Sequence, residues 1–144
     1  MKERVKWAFI LDKDEFVRLS LSKILKKYGF QVEEIEEISQ LEGRKKDIEG
    51  GIILADLEIE VLERCLPLLK RQGDRFVLMT PLVTDELALR LKKIGIRRII
   101  KKPVEPKLLK RVIREISPPE GGKTPKSTQE GEGFRFNQKG GEEI

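Results

Sequence analysis

Four short apolar runs in this chain each end on a polar or charged residue. Trp7-Ala8-Phe9-Ile10-Leu11 runs into Asp12, and Gly51-Ile52-Ile53-Leu54-Ala55 into Asp56. Phe76-Val77-Leu78-Met79 runs into Thr80, and Ile99-Ile100-Lys101 into Lys102-Pro103. Short continuous apolar runs, set between helix-like segments, are what strands buried on both faces require. Such strands make parallel sheets, and these sheets bind ligands beyond the carboxyl ends of their strands. Four polar endings at that point are a candidate site.

The order of elements is strand 5–11, helix 15–28, strand 30–35, a weak helix 38–48, strand 51–55, helix 59–71, strand 75–79, helix 84–93, strand 97–101 and helix 105–116. Five alternating strand and helix units predict a parallel sheet with helices on both faces. In the first helix Val17, Leu21, Ile24, Leu25 and Tyr28 share one face. Gly29 stops that helix. Thr84 is the expected N-cap of the fourth helix, along which Leu87, Leu91 and Ile94 recur, and Gly95 ends it. Leu108, Leu109, Val112 and Ile116 line the last, with Pro106 tolerated in its first turn. Gly43 and a scarcity of apolar positions weaken the second helix. Pro67 is expected to kink the third or to mark a later start.

In order and spacing, Asp12, Asp56, Thr80 and Lys102-Pro103 resemble the receiver domain of bacterial two-component response regulators, the CheY-like family. The resemblance covers roughly residues 5–117. It implies an α/β fold, a doubly wound five-stranded parallel sheet in the flavodoxin-like order 2-1-3-4-5. In that order the switch point lies between strands 1 and 3, which places Asp12 and Asp56 at the crevice. The resemblance implies that Asp56 is a phosphoacceptor served by a sensor histidine kinase. Thr80 would then offer a hydroxyl, and Lys102 a fixed positive charge, to the phosphoryl group. It also implies a Mg²⁺ site made of Asp12, Asp56 and the backbone carbonyl of Glu58.

Several residues depart from that pattern. The family carries two adjacent acids at the end of strand 1, where this chain reads Asp12-Lys13. Counting Asp12, Asp56, Lys13 and Lys102, the site sums to zero, so Mg²⁺ is expected to bind weakly. An ammonium cannot offer octahedral coordination. Asp14 is a substitute ligand that a local backbone shift would bring in. The position on strand 5 that is aromatic in the family is Ile99, which cannot expose or bury a phenol in response to Thr80. The Met-Pro that follows the acceptor in the family is absent from Asp56-Leu57-Glu58-Ile59-Glu60.

Between Arg90 and Arg114 there are eleven basic residues and one acid, Glu105, so the segment carries +10 in a chain of net +5. Such asymmetry bears on partners. Arg90, Lys93, Arg97, Arg98, Lys107, Lys110, Arg111 and Arg114 form the expected face for a downstream protein with an acidic surface. Nucleic acid is disfavoured, because no aromatic platform or recognition motif accompanies the cations. A basic nucleic-acid-binding protein on the same fold remains an alternative, separable by a salt-dependent shift with DNA or RNA.

The 144 residues suffice for one domain, expected over 1–117, and Gly-, Pro- and polar-rich residues 118–144 are expected to form a disordered tail. Phe134-Arg135-Phe136 is the apolar point in that tail. No stretch approaches the about 20 apolar residues of a membrane span. No signal-peptide core precedes the first strand. The single Cys65, expected as a small core residue within the third helix, fits a reducing compartment, so a cytoplasmic location is expected. The chain contains no His, which excludes His-based catalysis and a phosphohistidine carrier. A nucleotide- or flavin-binding enzyme on this fold would need a glycine-rich loop after strand 1. Asp12-Lys13-Asp14-Glu15 would repel phosphate there. The expected function is a stand-alone receiver, a binding and switch module and not an enzyme. Its alternative is a phosphorylation-independent pseudo-receiver that binds its partner constitutively.

Overall fold

The computed structural model describes residues 5–117. The expected tail therefore lies outside the described residues. Five parallel strands form one sheet: β1 (Lys6–Leu11), β2 (Phe30–Glu34), β3 (Ile52–Ala55), β4 (Phe76–Thr80) and β5 (Arg98–Lys101). Their order across the sheet is β2-β1-β3-β4-β5. All four residues of β3 are buried, as are Phe76–Met79 of β4 and Ala8–Leu11 of β1. These interior strands are covered on both faces, which is why their sequences are uninterrupted apolar runs. The two edge strands carry the polar residues, with Gln31, Glu33 and Glu34 in β2 and Arg98 and Lys101 in β5. Charge on an edge discourages pairing with another chain.

Helices α1 (Glu15–Lys27), α2 (Lys45–Glu49), α3 (Ile59–Glu63), α4 (Leu66–Gln72), α5 (Asp85–Lys93) and α6 (Pro106–Ile116) connect or flank the strands. Leu21 and Leu25 of α1 are buried, and Leu91 is the buried residue of α5. The Thr84 hydroxyl accepts from the Leu87 amide at 3.1 Å, capping α5 as its position predicts. Gly29 and Gly95 follow α1 and α5 at φ 88° and 89°, a conformation that costs other residues a Cβ clash. Among the described residues, one compact unit ends at Lys110, inside α6.

The weak second helix is a 3-10 turn, Ile38–Leu41, followed after Gly43 by the five-residue α2. Buried Ile38, Leu41 and Ile48 hold both pieces. Arg44, just before α2, adds a second tie. Its guanidinium lies 5.0 Å from the Trp7 ring centre and 5.2 Å from that of Phe9, the two rings being stacked 5.9 Å apart. It also bonds Glu33 of β2 at 2.9 Å and Asp47 of α2 at 2.7 Å. A cation over two ring faces and between two carboxylates fixes a helix too short to be stable by itself.

The expected third helix is two helices. Pro67 stands in the first turn of α4, where a missing N–H costs nothing, so the proline marks a later start. Cys65 consequently lies between α3 and α4, at the N-cap of α4, and not inside a helix. It packs against the core but is only half-buried, which corrects its expected place in the interior.

Gly51, just before β3, has no room for a side chain. A Cβ there would meet the Trp7 carbonyl oxygen and stand 2.9 Å from the Asp47 carbonyl oxygen. Both are backbone atoms that no rotamer change moves. Gly51→Ala is expected to destabilise the protein by at least the about 1–3 kcal/mol typical of overpacking. A urea midpoint equal to that of wild type would show that the chain between α2 and β3 yields freely.

Candidate functional site

The strand register brings the polar endings together. Leu11 pairs with Ala55, and the Asp56 amide donates to the Leu11 carbonyl at 2.9 Å. Asp12 and Asp56 thus leave adjacent strands at the same level. Thr80 pairs with Lys101, and the Lys102 amide donates to the Thr80 carbonyl at 2.9 Å. The Lys102 ammonium then reaches across the sheet end to both acids. Its Nζ donates to Asp12 Oδ2 at 2.8 Å and to Asp56 Oδ2 at 2.6 Å.

The two carboxylates differ in surroundings. The Asp12 side chain is 2% exposed. Its Oδ1 accepts from the Asp14 amide at 2.8 Å, while its backbone carbonyl accepts from Arg18 Nη1 at 2.7 Å. Every polar group of Asp12 on the site side is therefore bound. The Asp56 side chain is 32% exposed, and its Oδ1 has no hydrogen-bond partner among the described residues. Burial by itself would lower the Lys102 pKa. The hydrogen bonds and charges of Asp12 and Asp56 outweigh that effect and raise it above the ordinary lysine value.

Lys13 is exposed and makes no ion pair among the described residues. Its ammonium is open to solvent, which screens its charge. The groups in contact are two carboxylates and one ammonium, net −1. Asp14 is the N-cap of α1, and its Oδ1 accepts from the Phe16 and Val17 amides at 2.8 and 3.4 Å. Turning it toward a metal would open that cap. The Glu58 carbonyl, expected as a ligand, accepts from the Val61 and Leu62 amides at 3.0 and 3.2 Å, so both its lone pairs serve α3. Among the described residues no three acidic, cysteine or histidine groups cluster as a metal site would need. Among the described residues the site offers two carboxylates, both bonded to Lys102, so a Mg²⁺ held by Asp12 and Asp56 would compete with that ammonium and keep several waters.

Thr80 lies at the end of β4, half-buried. Its hydroxyl donates to the Leu82 carbonyl at 3.2 Å and lies 3.4 Å from the Leu82 amide, so it braces its own loop. Ile99 is partly buried and packs against the core, a fixed aliphatic neighbour. On the basic segment, Lys93, Lys107 and Arg111 are exposed. Arg97 is exposed and faces Asp74 at 3.5 Å. Arg98 and Lys110 are half-buried, and Arg114 is exposed. Arg90 does not belong with them. Its guanidinium grips Glu63 at 2.7 and 3.0 Å and approaches Glu60 at 3.6 Å, tying α5 to α3. That clamp corrects its place on the partner face. Arg18, which fixes the Asp12 backbone and bonds Glu34 at 3.0 Å, carried no signal in the sequence. It is one charged residue on an amphipathic helix, and only the sheet brings it near the site.

No family model and no curated protein matches the chain in sequence. Solved structures match its fold. The chemotaxis response regulator CheY4 of Vibrio cholerae is similar with a TM-score of 0.62 at 16% identity, over 78% of this chain and 99% of that one. A CheY-like response regulator receiver domain protein from Methanospirillum hungatei gives 0.58 at 26% identity, over 78% and 94%. An atypical orphan response regulator, described as having a phosphorylation-independent regulatory mechanism, gives 0.62 at 15% identity, over 76% and 93%. The strand order and the position of the site are those expected of a CheY-like receiver, and the chain has that fold.

Replacing Lys102 by Met would leave the buried Asp12 without its counter-charge. Losing one partner of a buried pair costs about 3–5 kcal/mol. Denaturant unfolding of Lys102→Met is expected to show a loss of that order at neutral pH, and Asp12→Asn in the same chain to recover part of it. Because the folded Lys102 pKa is raised, its contribution is complete below the unfolded lysine value of about 10.4. It is lost as pH rises through the higher folded value. Wild type should therefore lose stability in that alkaline window, and Lys102→Met should not show the same loss.

Proposed function

We propose that the chain is a receiver module that signals by protein–protein contact, and that Asp56 is its phosphoacceptor. One observation supports this above others. Of two carboxylates sharing one ammonium, Asp56 alone is open to solvent and keeps an oxygen, Oδ1, without a partner among the described residues. A phosphohistidine on a sensor kinase is the donor this chemistry suits. Asp56 Oδ1 forms the new P–O bond as the P–N bond breaks, and the departing imidazole takes up a proton. Lys102 stands where the growing negative charge needs compensation. For Thr80 to donate to the phosphoryl group, its bond to Leu82 must open, which couples the site to the loop before α5. A cytoplasmic location goes with this reading. No helix among the described residues is long and apolar enough to cross a membrane.

The same geometry favours a second reading, a pseudo-receiver that binds its partner without phosphorylation. Lys102 already closes the carboxylate pair, as a phosphorylated site would otherwise require of it. A likeness in fold to a regulator described as phosphorylation-independent is consistent with it.

Incubation with a small phosphodonor, with and without Mg²⁺, followed by intact mass measurement, separates the two. Wild type is expected to gain one phosphoryl group and Asp56→Asn none. A folded wild type that gains nothing under either condition leaves the pseudo-receiver. Mg²⁺ is expected to bind weakly, and Lys13→Asp to tighten it if a backbone shift brings position 13 to the carboxylates. A titration that shows no gain would confirm Lys13 as a solvent-facing residue.

The basic segment is proposed as the face for an acidic protein partner, through Lys93, Lys107 and their exposed neighbours. Reversing Lys93 and Lys107 to Glu is expected to leave the melting temperature within about a degree or two, as surface changes of up to about 0.5 kcal/mol do. The same change should weaken partner capture and flatten its salt dependence. Equal capture at equal salt would make these lysines merely solvated.

A further inference from the structure

Away from the carboxylate site, the protein has a cavity of about 410 Å³ where the 3-10 turn Ile38–Leu41 and α2 meet α4. None of the residues that line it belongs to the Asp12–Lys102–Asp56 group. Its floor is aliphatic. Leu41 and Ile48 are almost wholly buried, while Ile38 and Leu68 complete the apolar wall. A volume of this size falls within the range of small-molecule pockets, about 300–1,000 Å³.

Charge at its edge is one-sided. Lys45, Arg64 and Arg71 border the cavity, all three exposed and none in an ion pair among the described residues. One carboxylate, Glu42, stands against them. This contrasts with Arg18, Arg44 and Arg90, each of which has a carboxylate at 3.0 Å or less. Cations left unpaired around an apolar concavity are placed to hold an anion whose body the floor buries. We infer that this cavity binds a small amphipathic monoanion, a carboxylate or sulfonate carried on a compact apolar body. The aliphatic floor takes the apolar part, and Arg64, Arg71 and Lys45 take the charged head. A second acidic group on the ligand would meet Glu42, which favours a single charge.

Cys65 lines the same cavity and is the chain's single cysteine. Burial pushes its thiol above the ordinary value, with Arg64 opposing and Glu42 adding to the rise. A half-buried thiol on the cavity wall reports whether the cavity is filled.

The test measures the rate of Cys65 alkylation by N-ethylmaleimide in the full chain, followed by intact mass. The probes are octanoate, 8-anilinonaphthalene-1-sulfonate and, as the cationic control, octylammonium. At ten times the Kd of a bound anion the free fraction falls to about one-tenth, so alkylation is expected to slow about tenfold. Octylammonium should give no such protection. Arg64→Glu with Arg71→Glu, both at exposed positions, should keep the melting temperature and lose the protection. The inference is overturned by unchanged alkylation with both anions, by equal protection from octylammonium, or by full protection in the folded double variant.

Discussion

A parallel sheet covered on both faces leaves its interior strands one place for charge, the point where they end. β1, β3 and β4 each have a paired strand on both sides, β2 and β5 closing the row, and bury most of their side chains. Polar chemistry is thereby driven to Asp12, Asp56 and Thr80. The ladder sets those endings at one level, through Asp56 to Leu11 and Lys102 to Thr80. The site is thus a consequence of burial and register, and its precision is that of the sheet.

What occupies the centre of that site is an ammonium. Lys102 comes from the far side of the switch strands and meets two carboxylates within 2.8 Å. Desolvation penalises each of the three charges separately, and their mutual contact offsets it. A divalent ion in the same place would have to displace Lys102 and draw most of its ligands from water. The Glu58 carbonyl is held by α3, and one Asp14 oxygen by α1. Helix starts, which satisfy their own backbone groups first, have taken the donors that a metal would use.

The opposite half of the helical layer follows a different logic. The segment from Ile38 to Glu49 has little helix propensity and is held by anchors, with Ile38, Leu41 and Ile48 below and Arg44 over Trp7 and Phe9. Short pieces pinned at separate points pack less continuously than one long helix, and a cavity remains between them and α4. Pro67 contributes by starting α4 late and leaving Cys65 at the wall.

Much of the architecture was legible in the residues. Three of the four apolar runs are interior strands and the fourth, Ile99-Ile100, lies in the edge strand β5, so the strand positions, the parallel sheet and the polar strand ends were legible in the pattern. Thr84, Gly29, Gly95 and Pro67 marked their boundaries through local backbone chemistry, which needs no distant partner. Contacts between residues far apart in sequence were settled only by the tertiary structure. Arg90 and Arg97 look alike in a basic run, yet one is locked to Glu63 and the other is mostly in water. Lys13 adjoins Asp12 in sequence and turns to solvent, whereas Lys102, 90 residues away, supplies the charge. Gly51 looked like an ordinary first residue of a strand until the Trp7 and Asp47 carbonyls closed on it. Sequence determines where charge must emerge, because burial is a local demand on each strand. Which opposite charge it meets depends on how the strands and helices are brought together.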